Sequence, residues 1–278
     1  MNINRPKVGL ALGGGYAWGL AHIGVLEVLE TAGIPIDIIA GTSMGAVVGA
    51  LYAREREAAI IKHQANQLDW VGLASLIDPA VLKSGLFVGR RITNLLKRLM
   101  GDVTFDELGI PFACVATDII SGDEVVMKTG KVLEAVRASI SIPVIFTVVK
   151  KDDRFLVDGG LVNTVPVSVA RQMGADYVIA VDVTPSGKER ADHLLQDAEV
   201  KEPSLFQVMV QSIYITTHLT TRAVTEGADV VIHPKLAHIN PRDFHKAREC
   251  ILAGELAAED MVSHIKRDLA AARIAPKG

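Results

Sequence analysis

Apolar positions along the chain fall into short, strand-length runs that alternate with longer stretches of helical spacing. Runs rich in β-branched and small apolar residues predict strands near residues 7 to 12, 35 to 40, 111 to 118, 124 to 128, 145 to 149, 154 to 157 and 177 to 183, with a late one at 229 to 233. Between them, Leu20 to Leu29 and Ala46 to Ala53 repeat apolar residues as buried helices do, and residues 242 to 274 read as one or two amphipathic terminal helices. Strands that are apolar throughout belong to sheets covered on both faces, so the alternation predicts an α/β fold with a mostly parallel central sheet. A polar stretch from 184 to about 204, with Pro185-Ser186-Gly187 at one end and Pro203 at the other, reads as a mobile loop. The pattern contains no internal repeat, and 278 residues at 49% hydrophobic content suit one large domain.

Three strand ends carry glycine-rich turns, and these are where chemistry is expected. Gly41-Thr42-Ser43-Met44-Gly45 lies between a strand-like and a helix-like run and matches G-x-S-x-G. In a strand, sharp turn and helix of that kind, the serine Oγ projects from the top of the sheet and the helix N-terminus faces developing negative charge. Ser43 is therefore a candidate nucleophile. Without its flanks the same pentapeptide would read equally well as a glycine turn with a capping serine.

Near the N-terminus, a strand is followed by Gly13-Gly14-Gly15-Tyr16-Ala17-Trp18-Gly19 and then a helix. Consecutive glycines let backbone N–H groups converge on an oxyanion or a phosphate. The dinucleotide fingerprint G-x-G-x-x-G fails here, because Trp18 stands at its third glycine. A looser match ending at Gly19 keeps a nucleotide-binding alternative open. The third turn is Asp158-Gly159-Gly160, where a carboxylate closes a strand-like run. It reads alone as an Asp-Gly turn, or, beside a serine in a dry pocket, as a base of raised basicity.

Taken together, these blocks resemble the patatin-like phospholipases, specifically the short bacterial members. The resemblance rests on the Gly13-Gly14-Gly15 loop with Gly19-Leu20-Ala21-His22-Ile23-Gly24-Val25-Leu26, on the turn around Ser43, and on Arg137-Ala138-Ser139-Ile140-Ser141-Ile142-Pro143 with Phe146. It also rests on Asp158-Gly159-Gly160 followed by Asn163 and Val165-Pro166. It implies a three-layer α/β/α sandwich and hydrolysis of lipid or phospholipid acyl esters through a Ser43–Asp158 dyad, with an acyl-serine intermediate and no cofactor or metal. It further implies an oxyanion hole from the N–H groups of Gly14 and Gly15 with that of Met44, and supporting roles for Gly13, Gly19, Gly41, Gly45, Gly159 and Gly160. Two positions depart from the family pattern: Trp18 replaces the usual Arg or Lys, which weakens the expectation of headgroup recognition, and Thr164 replaces a frequent second asparagine.

The remaining features narrow the class. Six histidines follow Asp158, namely His193, His218, His233, His238, His245 and His264, but none lies in a glycine-framed loop as a triad partner would. His22 falls on the apolar face of the first helix and reads as a hydrogen-bonded core residue. No His or Cys spacing suggests zinc, and Cys114 and Cys250 read as buried thiols of a reducing compartment. A formal net charge of −3 and the lack of a basic block with interleaved aromatics exclude a general nucleic-acid binder. With no signal-like leader and no apolar stretch of membrane-spanning length, the chain is expected in the cytoplasm.

Residues 54 to 110 read as an insertion covering the site. Within them, Lys83, Arg90, Arg91, Lys97 and Arg98 occur with no acid between Asp78 and Asp102, while Ile92, Leu95, Leu96 and Leu99 share one helical face. Segment 83 to 99 therefore reads either as a peripheral contact with an anionic bilayer or as a cap helix with solvated charges. Besides the lipid hydrolase, a small-ester carboxylesterase and a non-catalytic lipid-binding or regulatory protein on the same scaffold remain as alternatives.

Overall fold

A computed structural model describes residues 5–68, 85–186 and 225–274, together with 208, 209, 211–213, 215 and 216. Most of the expected loop between 184 and 204, and Asp78 and Lys83 of the basic segment, lie outside the described residues. Eight strands form one sheet: β1 (Val8–Leu12), β2 (Ile38–Thr42), β3 (Phe112–Asp118), β4 (Glu124–Met127), β5 (Val149–Lys151), β6 (Arg154–Asp158), β7 (Tyr177–Val181) and β8 (Val230–Ile232). Their order is β5-β6-β3-β2-β1-β7-β8, with β4 also paired to β3. The five strands from β3 to β8 run parallel, whereas β4, β5 and β6 join by antiparallel pairing.

The parallel strands are buried on both faces, and their side chains alternate between two cores. Leu10, Leu12, Ile39, Phe112, Cys114, Ile179 and Val181 point to the larger one. There the sheet meets helices α1 (Ala21–Thr31), α2 (Met44–Glu55), α5 (Val132–Ser139) and the long α7 (Ala247–Ile274). Ala11, Ala40, Ala113, Val115, Val178 and Ala180 point to the smaller one, under the short α6 (Val167–Gln172). Small residues on that face let α6 lie close to the sheet. Both cysteines are buried and free.

One expectation about local structure changes, and another is narrowed. The strand expected at 145 to 149 begins only at Val149, because the chain first turns through Pro143 and Val144, the latter at φ +71°. The terminal run is one helix from Ala247, preceded by a 3-10 turn at Phe244–Lys246. Of the 54 to 110 region, α3 (Ala58–Gln67) and α4 (Gly85–Met100) are described. In α4, Leu95, Leu96 and Met100 are buried while Arg91, Lys97 and Arg98 are exposed. Ile92, Leu95, Leu96 and Leu99 on its apolar side line a cleft of this protein. Among the described residues no helix is long and apolar enough to cross a membrane.

Candidate functional site

Sheet register brings the two candidate turns together. On one edge of β3, β4 occupies Cys114 to Thr117. The opposite edge is shared: β2 pairs with it up to Thr42 opposite Val115, and β6 descends antiparallel until Asp158 lies opposite Ala116. The C-terminal ends of β2 and β6 therefore meet head to head on consecutive β3 residues. Ser43 follows the first end and Asp158 closes the second, so the Ser43 hydroxyl donates to Asp158 Oδ2 at 2.6 Å.

The turn at Ser43 is held by close packing. Ser43 adopts φ +53° and ψ −120°, outside the helical and extended regions, and its carbonyl accepts the first-turn N–H groups of Ala46 and Val47. A Cβ on Gly41 would lie 2.6 Å from the Gly45 carbonyl oxygen, and one on Gly45 would run into the Leu12 carbonyl, so both G-x-S-x-G glycines are required by space. Gly19 packs against the Met44 side chain and Gly159 against the Val115 carbonyl for the same reason.

Asp158 is fixed from three sides. Gly160 N–H donates to its Oδ1 at 2.8 Å, its own N–H donates to the Ser141 carbonyl at 2.9 Å, and its carbonyl accepts from Thr117 Oγ1 at 2.9 Å. Burial pushes the carboxyl up to about 6, against the opposing pull of the Ser43 hydroxyl and the Gly160 N–H. A carboxylate of raised basicity in contact with a hydroxyl is able to take its proton directly.

The glycine loop is anchored by its neighbours. Gly13 N–H donates to the Val181 carbonyl, and the Gly13 carbonyl meets His22 Nε2 at 2.7 Å. His22 is fully buried, and desolvation lowers it to about 4, so it is neutral and belongs to the core, as its place on the apolar face predicts. Gly14 N–H donates to the Thr164 carbonyl at 2.9 Å. This N–H, expected in the oxyanion set, is here engaged in holding the loop against the chain that follows the Asp158 strand. The N–H groups of Gly15 and Met44 meet no acceptor among the described residues. Trp18 is fully buried and its indole N–H donates to the Ile239 carbonyl at 2.8 Å, so the position that carries a cation elsewhere here ties the loop to the segment before α7.

Two cavities meet at Ser43. The larger, about 830 Å³ including the solvent at its mouth, is walled by Ile92, Leu95, Leu96 and Leu99 of α4 with Val47, Ile140, Ile142, Phe146 and Phe244. The smaller, about 500 Å³ on the same basis, contains Gly14, Gly15, Tyr16, Asp158, Gly160 and Thr184. His233, His238, His245 and His264 line neither, while His193 and His218 lie outside the described residues. Ser139 was not singled out from the sequence as a site residue, yet its Oγ accepts the Ser43 N–H at 2.9 Å. A buried serine on a helix gives no sequence signal for such a contact.

Comparison with known proteins agrees with this architecture. A family model described as patatin-like phospholipase matches residues 10–171. An uncharacterised NTE family protein of Mycobacterium tuberculosis is 38% identical over 183 residues, which cover 66% of this chain and 51% of that protein. The human patatin-like phospholipase domain-containing protein 6 is also 38% identical over 183 residues, 63% of this chain and 13% of that protein. The chain thus spans about half the length of the mycobacterial relative and a small part of the human one. Among solved structures, VipD from Legionella pneumophila has a TM-score of 0.53 at 13% identity, covering 94% of this chain and 67% of that one. The type III effector protein ExoU of Pseudomonas aeruginosa has 0.52 at 15%, covering 94% and 54%. On the family match, which takes in more than half of its residues, the chain belongs to the patatin-like phospholipase family.

Proposed function

We propose that this chain is a lipid acyl hydrolase in which Ser43 is the nucleophile and Asp158 the general base. The observation that carries the reading is the 2.6 Å hydrogen bond from Ser43 Oγ to a buried carboxylate, at the junction of two cavities. Ser43 Oγ attacks the acyl carbonyl carbon as its proton passes to Asp158 Oδ2. The carbonyl oxygen becomes an oxyanion facing the N–H groups of Gly15 and Met44, the latter at the positive end of α2. Collapse expels the alcohol, which takes the proton from Asp158 and leaves an acyl-Ser43 ester. Water, deprotonated by Asp158, then releases the fatty acid and restores Ser43.

The apolar cleft under α4 supports a long acyl chain over a short one, which favours a lipid ester over a small soluble ester. Each methylene buried contributes about 0.8 kcal/mol, so kcat/KM should rise roughly fourfold per added methylene until the cleft is full. Hydrolysis of a series of p-nitrophenyl esters from acetate to palmitate tests this; a maximum at acetate would contradict it. The exposed Arg91, Lys97 and Arg98 on the outer side of α4 support peripheral contact with an anionic bilayer through charge, its apolar side staying on the cleft. Reversing these three charges should abolish salt-sensitive binding to phosphatidylglycerol vesicles, and unchanged binding would refute that contact.

A further inference from the structure

The Ser43 backbone conformation is one a non-glycine residue adopts only when its surroundings hold it there. Its carbonyl is held by α2, while its N–H has one acceptor among the described residues, the Oγ of Ser139 at 2.9 Å, at the last residue of α5. Ser139 is fully buried. Two residues on, the Ser141 carbonyl accepts the Asp158 N–H. The Ser141 hydroxyl accepts from Arg137 Nη1 at 2.6 Å and donates to the Arg137 carbonyl at 2.8 Å, and the Arg137 guanidinium lies 5.5 Å from the centroid of the Phe146 ring. One short segment thereby touches the backbone of both members of the pair, and its Ile142 walls both cavities.

We propose that Ser139 is a positioning residue for Ser43: by accepting the Ser43 N–H, its hydroxyl fixes the strained turn so that Oγ points at Asp158 and the Met44 N–H at the oxyanion. The proposal rests on Ser43 being the nucleophile. Loss of the hydroxyl leaves the Ser43 N–H buried without a partner, and the turn relaxes to recover one. Much of the acyl-cleft wall lies on α4 and α2, away from Ser139, so the defect falls mainly on kcat rather than on KM.

Three variants separate this role from packing. Ser139→Ala removes the acceptor, while Ser139→Thr and Ser139→Val add the same volume and differ in keeping or lacking a hydroxyl. Second-order labelling of Ser43 by a fluorophosphonate should slow about 10- to 100-fold in the Ala and Val variants and stay within about threefold of wild type in the Thr variant. Labelling of the Ala variant at the wild-type rate, or equal impairment of Thr and Val, overturns the proposal. Amide hydrogen exchange at Ser43 reads the contact without catalysis: protection is expected in wild type and the Thr variant and loss of it in the other two. Equal protection in all four overturns the contact itself. That exchange pattern in a wild type that takes no label upholds the contact and overturns the nucleophile.

Discussion

Replacing Asp158 with Asn should disable the site and stabilise the fold, and the two effects come from one cause. The Asp158 carboxyl is 7% exposed and is pushed by burial from an ordinary 3.8 to about 6. A folded value above the unfolded one means that the native state prefers the protonated form. Asp158 is therefore neutral and costs nothing below about pH 4; its ionisation erodes stability as pH rises through 4 to 6 and leaves a constant penalty above. At about 1.4 kcal/mol per pH unit, the gap corresponds to about 3 kcal/mol at neutral pH. Asn has the same shape and no charge, so Asp158→Asn should be more stable than wild type by about 3 kcal/mol at pH 7.5, roughly 5 °C in Tm for a chain of this size.

The difference between the two proteins is the quantity to measure, since the wild-type profile alone mixes two sites. Buried His22, lowered from 6.5 to about 4, contributes stability that is present above 6.5 and lost as pH falls toward 4. That trend opposes Asp158 in the same window and cancels in the comparison. Urea unfolding of both proteins at pH 4, 5, 6 and 7.5 should show a gap near zero at pH 4 that opens to its full size by pH 7. A variant no more stable than wild type at pH 7.5, or a gap that does not change with pH, would refute the assignment of a buried, raised carboxyl.

Other consequences are as direct. The kcat/KM of ester hydrolysis should rise with pH through one inflection near 6, where Asp158 becomes the ionised base, and a profile flat from pH 5 to 7 would contradict that role. Trp18→Phe, which removes the N–H that satisfies the buried Ile239 carbonyl and leaves the space of the lost pyrrole ring, should cost at least about 1 to 3 kcal/mol by denaturant unfolding; no loss would show that the tie is not needed. Leu95→Trp, placed in the wall of the acyl cleft, should shorten the preferred acyl chain while leaving turnover of acetate esters within about twofold, and an unchanged chain-length profile would remove α4 from the cleft.

The strand, turn and helix around Ser43 were legible because each part has a local signature: apolar β-branched residues, two glycines required by close backbone approach, then an apolar helix. The pairing of Ser43 with Asp158 has no such signature. It follows from β2 and β6 sharing one edge of β3, a register that separates residues 115 apart in sequence by one hydrogen bond. Resemblance to a family supplied that pairing in advance; residue chemistry alone left Asp158 open between an Asp-Gly turn and a base. The acceptor of the Gly14 N–H was not legible because the Thr164 carbonyl is brought in from 150 residues away, and a backbone carbonyl leaves no mark on the side-chain sequence. The α4 pattern was read correctly as amphipathic, but amphipathicity does not say whether an apolar face meets lipid or a cleft of the same protein.

The central claim is that Ser43 Oγ is a nucleophile activated by Asp158. Intact-mass and peptide analysis after exposure to a fluorophosphonate tests it most directly, comparing wild type with Ser43→Ala and Asp158→Asn. The account predicts one adduct per wild-type chain, located on Ser43, none on Ser43→Ala, and labelling of Asp158→Asn slowed by about 10²- to 10⁴-fold. A folded wild-type chain that takes no label at Ser43, or an Asp158→Asn variant labelled as fast as wild type, would contradict it.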